Sequence, residues 1–208
     1  MKLIKLYMKY PAYGYLQIGG FLSSLGSWAS FLAMLILLDN LTNNGMELGA
    51  LWAISGIIPI VLGYFYGVWI DRLDVKKLIR NMELVALVGY LLFVLIFFVD
   101  KEFGVFIFLI ARFVLLTAGN IYSTCLNTVI PEIVAKEDLN IANGYSFTIG
   151  NIIRLIGASA GGILISFVEL HIVWVINVFI CVIVYVLALL SQRYYKTTRL
   201  EVKEKSFI

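Results

Sequence analysis

An all-α membrane protein with six transmembrane helices is what this sequence predicts, and three observations carry that prediction. The composition is 62% hydrophobic and only 14% charged, with a mean hydropathy of +0.96. A soluble domain has about 45–50% apolar and about 25% charged residues. Six runs reach the roughly 20 apolar residues that a helix rising 1.5 Å per residue needs to cross a core about 30 Å thick. Lys and Arg crowd into alternate connections between those runs.

In order, the runs cover residues 16–38, 48–70, 82–99, 103–130, 145–168 and 172–190. Together they form a six-helix transmembrane domain over residues 16–190. Residues 1–15 carry Lys2, Lys5 and Lys9 and are followed by no signal-peptidase pattern, so they read as an amphipathic cytoplasmic lead-in. Residues 191–208 form a basic cytoplasmic tail. Of the 16 Lys and Arg residues, thirteen fall on one side of the alternation and Lys101 alone on the other; Arg112 and Arg154 lie inside runs. By the positive-inside rule both termini are cytoplasmic, in a multi-pass protein of the plasma or inner membrane. Pro59 sits within the second run, where a bend or a neighbouring helix must satisfy the freed carbonyl.

The two arginines inside runs are the candidate chemistry. A charge at the centre of a membrane helix costs roughly 2.5–3.5 kcal/mol on the lenient insertion scale. Each arginine stands about nine residues into its run, or roughly 13 Å deep. At 100° per residue, Arg112, Gly119, Ser123 and Asn127 share one face of the fourth helix, with Asn120 beside them. Gly150, Arg154, Gly157 and Gly161 share a face of the fifth, with Asn151 adjacent, and Gln17, Ser24 and Ser27 give the first a softer polar stripe. Three such stripes fit a water-accessible cavity inside a bundle. A structural ion pair, or hydrogen bonds to backbone carbonyls, is the alternative for either arginine. No Asp or Glu is expected at their depth: Glu83 is placed at the inner end with Asp71, Asp74, Glu132, Glu137 and Asp138.

Other chemistry is excluded. The single histidine, His171, is at the outer end of the sixth run, and no zinc-protease, catalytic-triad, phosphate-loop or metal-cluster pattern is present. An enzyme is therefore not expected, nor a cofactor. Cys125 and Cys181 have no ligand spacing and read as small apolar residues. The modest net charge of +3 is spread over helix ends, so no nucleic-acid partner is expected.

The connection between the second and third runs is the most specific motif. Gly67 is followed after three residues by Asp71-Arg72, and after three more by Lys76-Lys77. This resembles the signature loop of major facilitator superfamily transporters. Arg112 resembles the arginine of the family's fourth-helix motif, although Leu115-Leu116 replace the usual Gln-Gly. Gly157-Ala158-Ser159-Ala160-Gly161-Gly162 resembles the fifth-helix motif of the drug/proton antiporter branch, with Ala158 at its proline. Pro131–Asn143 and Phe21–Trp28 are similar to the macrolide-efflux and enterobactin-exporter group, except that Ser27 stands where many members carry an Asp.

The resemblance implies half of a major facilitator fold, with the six helices as two inverted three-helix repeats. It implies a secondary transporter that exports a drug-like or siderophore-like solute by proton-driven alternating access. Gly67, Asp71 and Arg72, with Lys76 and Lys77, would gate the cytoplasmic side. Arg112, Asn120, Asn151, Arg154, Gln17 and Ser27 would face the cavity and its solute. Gly157, Gly161 and Gly162 would let the two halves approach closely. The expected partners are the bilayer, a small-molecule solute, and a second six-helix half or a second copy of the chain. A truncated or accessory module that transports nothing is the alternative reading.

Overall fold

The computed structural model describes residues 2–42, 49, 56–57, 60–63, 65–67, 70 and 73–205. Asp71, Arg72, Pro59 and most of the second expected run lie outside the described residues. What is described is helical: α1 (Lys2–Lys9), α2 (Pro11–Thr42), α3 (Val75–Leu95) extended by a 3-10 turn at Ile96–Phe98, α4 (Lys101–Ile133), α5 (Lys136–Phe167) and α6 (Leu170–Lys205). Among the described residues five helices are long and apolar enough to cross a membrane, namely α2 to α6.

The helices start and stop for local reasons. Pro11 opens α2, where a missing N–H costs nothing and the fixed φ suits a first turn. Asp74 caps α3, its carboxylate accepting from the Lys76 amide at 3.1 Å. Val134 and Ala135 turn to extended backbone between α4 and α5, and Glu137 and Asp138 then sit in the first turn of α5, where the helix dipole favours acids. Most helices overrun the apolar runs expected from sequence. Pro11–Tyr15, read as lead-in, belong to α2, and α5 begins nine residues before 145. Those extra turns mix polar, small and aromatic residues, and so fail a hydropathy criterion while keeping every backbone bond.

Packing follows one scheme. α2 lies mainly against α5 and α6, and α3 mainly against α4 and α6. Among the described residues α5 touches little besides α2, which leaves one flank of it open to them. Two apolar layers hold the bundle. The first, at the end bearing Lys9, Lys76 and Tyr195, gathers Leu6, Tyr13, Ile70, Ile79, Cys125, Val129, Ile133 and Ala142. The second gathers Leu37, Phe93, Phe108, Ala111, Val173 and Trp174, with the Phe93 and Trp174 rings stacked at 4.4 Å between centroids. A buried polar link stitches α2 to α6: Asn177 Nδ2 donates to Ser30 Oγ at 2.6 Å and to the Val173 carbonyl at 2.9 Å.

The glycines of α5 correct one expectation. Gly157 and Gly161 do pack a helix interface, but its partner is α2 of the same chain rather than a second half. A Cβ on Gly161 would sit 2.1 Å from the carbonyl oxygen of Ala29, and one on Gly157 would sit 2.8 Å from Trp28 Cβ. Gly162 on α5 faces Leu32 of α2. Helices in lipid gain nothing from hiding apolar surface, so close backbone approach through small residues is what binds α5 to α2.

Candidate functional site: a polar cavity between two apolar layers

Between the apolar layers the facing helices turn polar. α2 contributes Ser23, Ser27 and Ser30 at near-helical spacing. α3 contributes Glu83 and Tyr90, two turns apart, and α4 contributes Arg112, Gly119, Asn120 and Tyr122. They enclose a cavity of about 230 Å³, with Met34, Met82, Leu115 and Leu116 as its apolar wall. A second cavity of about 320 Å³ shares Ser23, Ser27, Gly119 and Tyr122 with the first. It runs toward the basic end past Gln17, Ser24, Ser123, Asn127, Ser146 and Gly150.

Most of the residues singled out from sequence meet here, though not all. Arg112, Asn120 and Ser27 line the first cavity, and Ser27 and Gln17 the second. Gln17 is buried and donates to Ser146 Oγ at 2.5 Å, so it also ties α2 to α5. Asn120 donates to the Leu116 carbonyl of its own helix at 2.7 Å. Asn151 does likewise to Phe147, at 2.9 Å. Arg154 lines neither cavity; it is exposed on α5, its guanidinium carbon 6.0 Å from the centre of the Trp28 ring. Asn151 is likewise absent from both linings.

The acidic inventory needs a correction. Glu83 was expected at the inner end of its helix, outside the depth of the arginines. It is instead two turns into α3, only 3% exposed, and lines the same cavity as Arg112. The apolar run starts at Met82, but the helix starts at Val75, and counting depth from the run's edge misplaced the carboxylate.

At the basic end Lys76 is anchored. Lys76 Nζ lies 3.2 Å from the centre of the Tyr195 ring, and its carbonyl accepts from Gln192 Nε2 at 3.2 Å. Tyr195 in turn donates to Glu132 on α4. Lys77 remains 70% exposed, 3.9 Å from the Asp74 carboxylate. Gly67 is helical and half-buried, and a Cβ there would meet nothing within 4 Å among the described residues. The capping role of Asp74 was open to sequence reasoning, since an Asp before a helix is the commonest of N-cap signals.

Comparison with known proteins adds the family. The model described as Major Facilitator Superfamily matches residues 16–207. The chain is 28% identical over 149 residues to "Macrolide efflux protein A" of Streptococcus pyogenes, an alignment covering 71% of this chain and 36% of that protein. It is 28% identical over 142 residues to "Macrolide efflux protein A" of Enterococcus faecalis, covering 67% and 43% respectively. The chain therefore spans less than half the length of the curated relatives it matches. No solved structure matches it.

Proposed function

Because the chain belongs to the major facilitator superfamily, whose members are transporters and not enzymes, we propose that it is one six-helix lobe of a secondary transporter. The lobe is built of two inverted three-helix repeats and exports a drug-like solute, a macrolide first among the candidates, by proton-driven alternating access. The observation that carries this reading is the polar cavity, with its buried glutamate and its arginine, held between two apolar layers at mid-bundle. Charge at that depth is expensive and marks a pathway or a binding site in membrane proteins.

The arrangement of ends supports a sixth crossing. Leu41, at the end of α2, abuts Gly104 at the start of α4. Lys76, at the start of α3, lies against Tyr195, which reaches Glu132 at the far end of α4. A chain joining α2 to α3 has to traverse the layer between them. Gly67, Asp71 and Arg72 then fall on the cytoplasmic side as the gate, with Lys76 and Lys77 fixing the loop to its own lobe. Arg112, Asn120, Gln17 and Ser27 face the solute, while Arg154 and Asn151 meet it only as the open flank of α5 closes on a partner. That flank supports a second lobe or a second copy on its side.

The test is drug accumulation in a drug-sensitive bacterial host expressing the chain. Energised cells are expected to hold less of a radiolabelled macrolide than cells without the chain. An ionophore that collapses the pH gradient should remove the difference, as should Arg112→Ala at an unchanged membrane level. Undiminished export by the Arg112→Ala variant would remove the cavity from the mechanism.

A further inference from the structure

Glu83 has a feature that the reading above leaves unused. Its side chain is 3% exposed, and its Oε2 atom has no hydrogen-bond partner. It takes part in none of the ion pairs among the described residues. A buried acceptor that nothing donates to carries a desolvation cost, larger still for a carboxylate. Such a group in a packed native core calls for an occupant.

The surroundings say which kind. The cavity wall near Glu83 holds Tyr90 and Tyr122, the side chains of Met34 and Met82, and the hydroxyls of Ser23, Ser27 and Ser30. The thiol of Cys181 lies against the carboxylate from α6. Aromatic faces and polarisable thioethers accommodate an organic cation. A hard metal ion wants six or more oxygen ligands, several of them charged. The described residues hold no cluster of three metal-ligating side chains, and this cavity offers a single carboxylate. Arg112 shares the cavity, which disfavours a bare small cation and favours a ligand bringing acceptor oxygens of its own.

We propose that Glu83 is the seat of an organic cation: an amphiphilic cationic solute donates an N–H that shares its positive charge to Oε2, with the Tyr90 and Tyr122 rings beside it. The bond is non-covalent and the proton stays on nitrogen. This deepens the transport reading and rests on it for the solute's route, but not for the binding itself.

The experiment measures binding to the full chain in detergent micelles with ethidium, a cation bearing N–H donors, and chloramphenicol, which is neutral. Glu83→Gln keeps the shape and removes the charge; Glu83→Asp keeps the charge. Ethidium should bind the wild-type chain, and Glu83→Gln should weaken it by about tenfold or more, as loss of a charge-assisted bond implies. Glu83→Asp should restore most of the affinity, and chloramphenicol binding should not change. Equal ethidium affinity in the wild-type and Glu83→Gln chains overturns the proposal, as does absence of ethidium binding to the wild-type chain. A measurement needing no variant guards against misfolding. Dicyclohexylcarbodiimide labels buried carboxyls, and ethidium should slow labelling of Glu83 read by mass spectrometry. No protection overturns the proposal. Glu83-dependent binding without export in cells would sink the transport reading alone; export indifferent to Glu83→Gln, with no binding defect, would sink this one alone.

Discussion

At the scale of single residues, the contact between α5 and α2 offers the sharpest contrast. A Cβ on Gly161 would lie 2.1 Å from the Ala29 carbonyl oxygen and 2.8 Å from its Cα, both backbone atoms that cannot rotate away. A Cβ on Gly162 would lie 3.3 Å from Leu32 Cδ1, the tip of a flexible side chain. Gly161→Ala should therefore push the helices apart and cost about 1–3 kcal/mol, whereas Gly162→Ala should stay within about 0.5 kcal/mol of wild type. The buried thiols of Cys125 and Cys181 supply the readout: a thiol-reactive dye during a thermal ramp should react at a clearly lower temperature in the first variant and not in the second. These residues also show what the sequence made legible. Helical spacing identified a small-residue face on α5, because spacing is a property of one helix. It could not name the partner, because that depends on which of several small-residue helices lies nearest. Glu83 was misread for a related reason. Hydropathy marks where a chain becomes oily, not where a helix begins, and two polar-headed turns separate Val75 from Glu83.

At the scale of an element, α1 is the part whose attachment pH should control. It is clamped by Leu6, buried in the first apolar layer, and by Lys9 and Tyr10, both donating to Asp138 on α5. The hydrogen bond to Asp138 holds the Lys9 ammonium above its ordinary range. Burial pushes the Tyr7 phenol up to about 12 and raises Tyr10 as well. All three groups thus bind their protons more tightly docked than free. The stabilisation they give is complete below the free values of about 10, and it is lost as pH climbs through the docked values. A spin label on Lys5→Cys should be immobile near neutral pH and become mobile between about pH 10 and 12. Tyr7→Phe should move that transition upward. Asp138→Asn should loosen the helix already at neutral pH, though modestly, since the Lys9 side chain is 51% exposed and exposed pairs contribute only about 0.2–1 kcal/mol. A label whose mobility ignored pH up to 12 would mean that the apolar contacts of Leu6 hold α1 alone. The basic, amphipathic character of this segment was plain from Lys2, Lys5 and Lys9; its docking on Asp138 was not, because 129 residues separate the pair.

At the scale of the whole molecule, the number of crossings decides how the lobe sits in the membrane, and parity makes it measurable. Five described helices can cross, and an odd total would put the termini on opposite faces. Six crossings, with the sixth between Thr42 and Val75, would put them on the same face. The end that gathers Lys9, Lys76, Lys136 and Arg193 should be the cytoplasmic one, because cationic loops resist translocation. The same parity bears on the proposed gate: Gly67, Asp71 and Arg72, which precede α3, share a face with the basic α1 and the start of α2 only if the chain crosses once more between Thr42 and Val75. Epitope tags placed before Met1 and after Ile208 should then both be protected from protease in intact cells and both be cleaved in inside-out vesicles. A cysteine placed at Asn43 should behave oppositely, reacting with an impermeant maleimide from outside. If the two tags fell on opposite sides, the chain would cross an odd number of times. The signature loop and the cavity mouth beside Gln17 would then no longer face the same compartment, and a rocking lobe with its gate on the cytosolic side could not be assembled from this chain.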